Sequence, residues 1–175
     1  MLVGGKYTME EIRLRDATPA DVPSICMIHN QGIEDRVATL DVDPHTLDEQ
    51  MAWFQHRGPR HPVVVAEAAG DIIGWASLNQ FSARPAYRFV ADLSVYIERQ
   101  WRGKGVGTRL LREIEARAHT LEYHKVVLAA FPFNQAGMRL YERFGFRRVG
   151  IYHEQGLIDG RWVDTIVMEK VLAAR

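Results

Sequence analysis

The chain has 175 residues, enough for one folded unit with a sizeable core and short for two. Its 22 basic and 22 acidic residues cancel, so no global field draws it to nucleic acid or to an anionic membrane, and a charged ligand must be selected locally. One cysteine, Cys26, excludes an internal disulfide, no run approaches the roughly 18 apolar residues of a membrane helix, and no basic-then-apolar leader opens the sequence, all of which suits the cytoplasm.

Residues 1–10 are small, polar and without period and read as a loose extension in which Met9 is an alternative start; residues 11–172 read as one domain. Ile12-Arg-Leu-Arg-Asp16 alternates as a strand. Thr18-Pro-Ala-Asp21 then carries a cap, a first-turn proline and an acid, opening a helix whose apolar face holds Val22, Ile25, Cys26 and His29 and which Gly32 is expected to end. On that face Cys26 reads as a buried, inert thiol. Thr46-Leu-Asp-Glu49 is a capping box for a second helix that stops before Gly58-Pro59. Val63–Ala68 and Ile72–Leu78 form a hairpin about Gly70-Asp71, and Val90–Ile97 is the next strand. A helix beginning near Gly105 carries Leu110, Leu111, Ile114 and Ala118; Lys125–Ala130 is a strand, Asn134–Phe144 a helix closed by Gly145. Two strands joined at Asp159-Gly160 end the chain. The order predicts an α/β fold.

Between the fourth strand and the third helix lies Arg102-Gly-Lys-Gly-Val-Gly107. Glycines at 103, 105 and 107 clear the way for successive N–H groups to converge on a phosphate at the helix's positive end. The spacing fits neither the dinucleotide fingerprint nor a Walker A loop. Arg102-x-x-Gly105-x-Gly107 resembles the [RQ]-x-x-G-x-[GA] acetyl-coenzyme A signature of the GNAT superfamily of N-acetyltransferases. Asn30–Arg36, Ala83–Tyr87, Asp92–Ile97 and Gly156–Asp164 are further similar to blocks of the phosphinothricin and methionine sulfoximine acetyltransferases, and Asn30 to Thr39 to a stretch of the arsinothricin-resistance N-acetyltransferases. The resemblance spans about residues 11–172. It implies a single-domain GNAT fold, a mixed and mostly antiparallel sheet of about seven strands with about four helices, and acetyl-CoA as co-substrate in an enzyme that confers antibiotic or herbicide resistance. It also implies that the fourth strand parts from its neighbour, exposing main-chain N–H groups.

On this resemblance, Arg102, Gly103, Lys104, Gly105, Val106, Gly107 and Thr108 hold the pyrophosphate, and Val95, Tyr96 and Ile97 present strand backbone to the pantetheine arm. Asn134 is a helix cap by position and a cofactor ligand by resemblance. Acetyl transfer needs an unprotonated amine, and an alkylammonium with a pKa near 10.4 is only about one part in a thousand neutral near pH 7.4, so a base helps. Asp92 stands where relatives usually carry Glu; its carboxylate is withdrawn by on the order of 1.5 Å, and burial or a water relay is needed to make it an effective base. Tyr141, where the phosphinothricin enzymes commonly have His, is the candidate general acid, a phenol near pKa 10 matching a thiol near 8.5 to 10; its alternative is aromatic packing beside Met138 and Phe144.

Arg84, Tyr87 and Arg88 are candidates to grip a carboxylate, phosphinate or arsenical oxyanion. Glu34 and Arg36 are expected to build the substrate side, if only by pairing with each other, and His153 is expected near the cleft as a substrate contact or alternative base. His56 with His61 and His119 with His124 lack a metal-ligand signature, so no metal is expected. The leading expectation is acetylation of the primary amine of a small acidic amino-acid analogue, by a homodimer that binds neither nucleic acid nor membrane. Acetylation of a protein N-terminus and non-catalytic acyl-CoA sensing are the alternatives.

Overall fold

The structure is a computed structural model that describes residues 12–172, so the expected extension lies outside the described residues. Seven strands, β1 Arg13–Asp16, β2 Val63–Ala68, β3 Asp71–Gln80, β4 Val90–Ile97, β5 Lys125–Ala130, β6 Arg147–Ile158 and β7 Arg161–Val171, form one sheet in the order β1-β2-β3-β4-β5-β7-β6. Only β4 and β5 run parallel; the other neighbours are antiparallel. Four α-helices accompany it: α1 Val22–Glu34, α2 Leu47–Gln55, α3 Val106–Thr120 and α4 Gln135–Arg143. This is the expected α/β architecture and element order.

Alternation along the strands sends side chains to two cores, because successive residues face opposite sides of a sheet. On β2, Val64 and Ala66 join Leu110, Leu111 and Ile114 of α3 in one cluster, while Val63 and Val65 join Ile25 and Ile28 of α1 and Trp75 of β3 in the other. The helices are positioned by the chemistry their starts advertise. Thr46 accepts from the Glu49 N–H at 3.3 Å while Glu49 Oε2 accepts from the Thr46 N–H at 2.8 Å, closing the capping box of α2. Asn134 Oδ1 accepts from the Gly137 N–H at 3.0 Å, so the cap role of Asn134 is real.

Two local expectations are corrected. The β2–β3 turn falls at Ala69-Gly70, one residue early, with φ of 50° and 89° as a tight two-residue hairpin turn requires. Gly32 does not end α1, which continues to Glu34. Its role is close packing, since a Cβ there would stand 3.0 Å from Cε1 of Tyr96 on β4. The missing side chain lets the helix lie against that ring.

The feature that shapes the site is the short partnership of β4 with β5. Their register covers Val90 with Lys125, Ala91 with Val126 and Asp92 with Val127, and stops there. Yet β4 stays paired with β3 as far as Ile97, and β5 with β7 as far as Ala130. Each strand keeps its outer neighbour while the two diverge, which leaves the backbone of β4 beyond Asp92 unpaired on the β5 side. The expected parting is present.

Candidate active site

Two clefts open where β4 and β5 part. The larger, about 380 Å³, is lined by Val95, Tyr96 and Ile97, by Arg102, Gly103, Gly105, Gly107 and Thr108, and by Asn134, Arg139 and Tyr141 among others. The smaller, about 210 Å³, is lined by Thr39, Leu40, Asp92, Ser94, Phe131, Tyr141 and Thr165 with their neighbours. They share Ala38, Val95, Tyr96 and Tyr141, so they meet near the C-terminal end of β4.

The glycine loop is built as an anion cradle. Gly103 and Gly105 have φ of 73° and 82°, a left-handed backbone that side chains resist, and Gly105 turns the chain into α3. The first turn of α3 has neither a side-chain cap nor an acidic residue, so its positive end and first N–H groups are left for a ligand. Gly107 serves differently, because a Cβ there would lie 2.9 Å from Leu140 Cδ2 on α4.

Within that stretch the side chains are used unequally. Val106 is 1% exposed and belongs to the core, so only its backbone can serve a ligand. Lys104 is exposed, with Nζ 5.3 Å from the Trp101 ring centroid, and is not among the lining residues of the larger cleft. Arg102 lines that cleft, but its guanidinium is held by Asp35 and by the Ile97 carbonyl at 3.2 Å.

Asp92 lines the smaller cleft, where burial pushes its carboxyl from 3.8 up to about 6 against the opposing hydrogen bond from Asn79. Asn79 lies directly across β3 from Asp92 and donates from Nδ2 to Asp92 Oδ2 at 3.4 Å and to Ser94 Oγ at 2.9 Å. Behind it, Arg57 donates to Asn79 Oδ1 at 3.0 Å and to the His61 carbonyl at 2.8 Å, its guanidinium 4.4 Å from the Trp53 ring centroid. Burial lowers the Arg57 guanidinium to about 10. Arg57, Asn79 and Ser94 were not singled out in the sequence. The available signal was the pair of polar residues, Ser77 and Asn79, interrupting an apolar strand.

Tyr141 lies at the junction of the clefts, its hydroxyl pushed up to about 12 by burial and by the charge of Asp92. The matched acidity expected from the sequence is therefore corrected. The phenol is protonated throughout the working range and is a weaker acid than a thiol near 8.5 to 10, so full proton transfer to the departing thiolate is uphill. Tyr141 is better suited to donate a hydrogen bond to a departing sulfur.

The remaining expected substrate residues do not line either cleft. Arg84, Tyr87 and Arg88 are exposed on the β3–β4 connection, Tyr87 edge-on to Phe81 and Arg88 over Phe89. Glu34 pairs with Arg99 at 3.2 Å, and Arg36 with Asp159 at 3.1 Å, so the two do not pair with each other. His153 is exposed on β6 and held 3.0 Å from Asp164. Cys26 is buried as expected, and burial raises its thiol.

A glycine cradle at one end of a parted strand pair and a buried acid at the other define an acyltransferase site. Residues 29–146 match the acetyltransferase (GNAT) family, and the chain belongs to that family of acetyl-CoA-dependent N-acetyltransferases. It is 34% identical over 158 residues to the L-methionine sulfoximine/L-methionine sulfone acetyltransferase of Pseudomonas aeruginosa, covering 89% of this chain and 92% of that one. A GNAT superfamily phosphinothricin acetyltransferase from Sinorhizobium meliloti, solved in complex with acetyl-CoA, superposes with a TM-score of 0.88 at 32% identity, over 93% of this chain and 89% of that one. A ribosomal-protein-alanine N-acetyltransferase from Brucella melitensis also gives 0.88 at 32% identity, over 91% and 99%.

Two predictions follow from this geometry. Gly105→Val forces a β-branched residue into a left-handed backbone at the cradle, so calorimetry on the folded variant should show acetyl-CoA binding abolished; unchanged affinity would refute the cradle. Asp92, with its folded pKa raised to about 6, contributes stability that is fully present below about pH 4 and lost as pH rises through about 6. Asp92→Asn removes that loss. Its melting temperature relative to wild type should therefore be higher at about pH 8 than at about pH 4, and a pH-independent difference in scanning calorimetry would contradict the burial argument.

Proposed function

We propose that the protein transfers the acetyl group of acetyl-CoA directly, within a ternary complex, to the primary α-amine of a small acidic amino-acid analogue of the phosphinothricin, methionine sulfoximine or arsinothricin type. The observation that carries this reading is Asp92, buried, raised to about 6 and placed one residue pair from the end of the β3–β4 pairing, with Tyr141 at the junction of the two clefts. A carboxyl with that pKa is ionised at neutral pH and basic enough to accept a proton from a bound ammonium, directly or through water. Acetyl-CoA supplies the thioester. The unpaired backbone of β4 beyond Asp92 offers N–H groups to the pantetheine and the thioester oxygen. The neutral amine attacks the carbonyl carbon, the carbon–sulfur bond breaks, the extra proton on the attacking nitrogen passes to water, and the sulfur leaves as a thiolate that accepts a hydrogen bond from Tyr141 as charge gathers there and is protonated by solvent after release. No metal takes part in the transfer.

Arg84 is assigned the substrate's acidic group. It lies on the loop that joins Gln80 to Val90, and Gln80 pairs with Ala91, the neighbour of Asp92, so the loop is anchored at the Asp92 end of the smaller cleft. A guanidinium reaching in from that rim would supply the cation that the cleft lining lacks. Tyr87 and Arg88 of the same loop complete the rim. The reading of a non-catalytic sensor falls with membership of an enzyme family. Acetylation of a protein N-terminus retains support from the likeness to the ribosomal-protein-alanine enzyme.

The working form we propose is a cytoplasmic homodimer. Among the described residues no helix is long and apolar enough to cross a membrane. Among the described residues β6 is the last strand of the sheet, paired with β7 alone, and Val149, Ile151 and Tyr152 on it, with Trp162 on β7, are each about half exposed or more. A long apolar edge of this kind is a site for association, and a second copy would cover it. Light scattering on Ile151→Lys should report a monomer where the wild type is a dimer.

Three kinetic outcomes test the chemistry. With methionine sulfoximine, kcat/KM should fall as pH drops through about 6 in the wild type, and this acidic limb should flatten or shift in Asp92→Asn. Tyr141→Phe should lower kcat by about 10²-fold, the usual cost of losing one transition-state hydrogen-bond donor, with little change in melting temperature; a near-normal single-turnover rate would leave the ring with packing alone. Arg84→Ala should raise KM for an acidic amine by about tenfold, the worth of a charge-assisted hydrogen bond, while leaving neutral amines and acetyl-CoA unaffected. Turnover of an N-terminal peptide but of no free amino-acid analogue would transfer the assignment to the protein-acetylating reading.

A further inference from the structure

Behind the wall of the smaller cleft, α1 and the 36–46 segment bring together three side chains from two separate stretches of the chain. His29 Nε2 stands 3.3 Å from Asp41 Oδ2, and His45 Nε2 stands 3.8 Å from the same oxygen. One ligand atom from each lies within 4.8 Å of the others. A tetrahedral zinc-type site with metal–ligand bonds of about 2.0–2.1 Å places neighbouring ligand atoms roughly 3.3 Å apart, so these three need only small side-chain adjustments to share one ion.

The surroundings hold the three groups in place. Asn30, the next residue on α1, clamps the backbone of His45 from both sides, accepting from its N–H at 2.9 Å and donating to its carbonyl at 2.9 Å. His29 is 8% exposed, with Nδ1 3.4 Å from Oε1 of Gln50, itself only 2% exposed. A metal-bound imidazole usually rests its second nitrogen on such an oxygen, which fixes the tautomer and leaves the first nitrogen free to coordinate. Thr39 Oγ1 donates to Asp41 Oδ2 at 2.9 Å and orients the carboxylate.

The charge pattern points the same way. Asp21, Asp35, Asp159 and Glu169 each face an arginine or a lysine. Asp41 has only the two histidines as ionic partners among the described residues. Its carboxylate is thus matched to imidazoles, groups that share a divalent cation with it readily. His45 and Asp41 are about a third or more exposed, which gives an ion a way in.

We infer that His29, Asp41 and His45 form a three-ligand site for a first-row divalent cation of the zinc class, its remaining coordination filled by water, which pins the 36–46 segment to α1. That segment carries Ala38, Thr39 and Leu40, which wall the smaller cleft, so the ion would brace one wall of the site without entering the transfer chemistry.

The test uses the full chain after chelator treatment, with Zn²⁺ or Co²⁺ as the only added ligand. Equilibrium dialysis should show one ion bound per chain, the Co²⁺ form should show visible d–d absorption, and Zn²⁺ should raise the melting temperature by stabilising the folded state. Asp41→Asn and His45→Ala change partly exposed side chains and should still fold. Each should weaken binding by about tenfold or more and lose the thermal shift. Wild type that takes up no more metal than these variants, or metal uptake that survives both substitutions, would overturn the site. These readouts are independent of the acetylation reaction.

Discussion

Everything that makes this sheet a catalyst depends on two parallel strands that pair for three residues and then separate. Backbone N–H and C=O groups must find partners, and a strand that loses one neighbour while keeping the other presents an ordered row of unsatisfied groups. Here β3 holds β4 to its last residue, Ile97, so the row is rigid as well as exposed. Water can satisfy it, and so can an extended amide-bearing ligand with the same periodicity. The strand that offers this edge also leads into the glycine loop, so the edge and the anion cradle are fixed relative to each other by a few residues of chain.

The divergence also determines where charge is buried. Asp92 belongs to the last residue pair before the strands part, which places its partly buried carboxylate on the lining of the smaller cleft. Desolvation there raises its pKa, and one amide from Asn79 offsets only part of that effect. Such a group costs stability when ionised, a cost that a purely structural site would avoid by carrying Asn or an apolar residue. The Arg57–Asn79 pair keeps the orientation of the carboxylate defined without placing a cation against it. A guanidinium in direct contact would have depressed the pKa and weakened the base.

Much of this order was legible locally. The bounds of β4 and β5, the capping box of α2, the cap of α4 and the Asp159-Gly160 turn all rest on neighbours within about four residues, and all stand as read. What was not legible depended on partners far along the chain. Gly32 carries the same local signal whether it stops a helix or admits a ring, and the ring is Tyr96, brought against it by the fold. Glu34 and Arg36 lie two apart, yet their partners are Arg99 and Asp159. The acidity of Tyr141 was misjudged for the same reason, since it is set by burial and by Asp92 rather than by residue type. The His29, Asp41 and His45 cluster leaves no local signal, because His29 belongs to α1 while Asp41 and His45 belong to the segment that folds back over it.

Zero net charge conceals a local sorting that bears on how two unlike ligands find their places. Arg102, Arg139 and Arg143 line the larger cleft, which adds positive charge to the uncapped start of α3. Among the described residues Asp92 is the only carboxylate lining the smaller cleft, and neither Lys nor Arg lines it. An anion bearing several phosphates is therefore favoured at one end and an ammonium at the other, with the neutral groups of Val95, Tyr96 and Tyr141 between them. Segregation of this kind discourages the wrong ligand in each cleft as well as attracting the right one. It also explains why a grip on an acidic substrate belongs on a rim loop. A permanent cation inside the smaller cleft would lower the pKa of Asp92 and repel the ammonium it must deprotonate, whereas an arginine arriving from the exposed 81–89 connection can meet the far end of the substrate and leave the base unaltered.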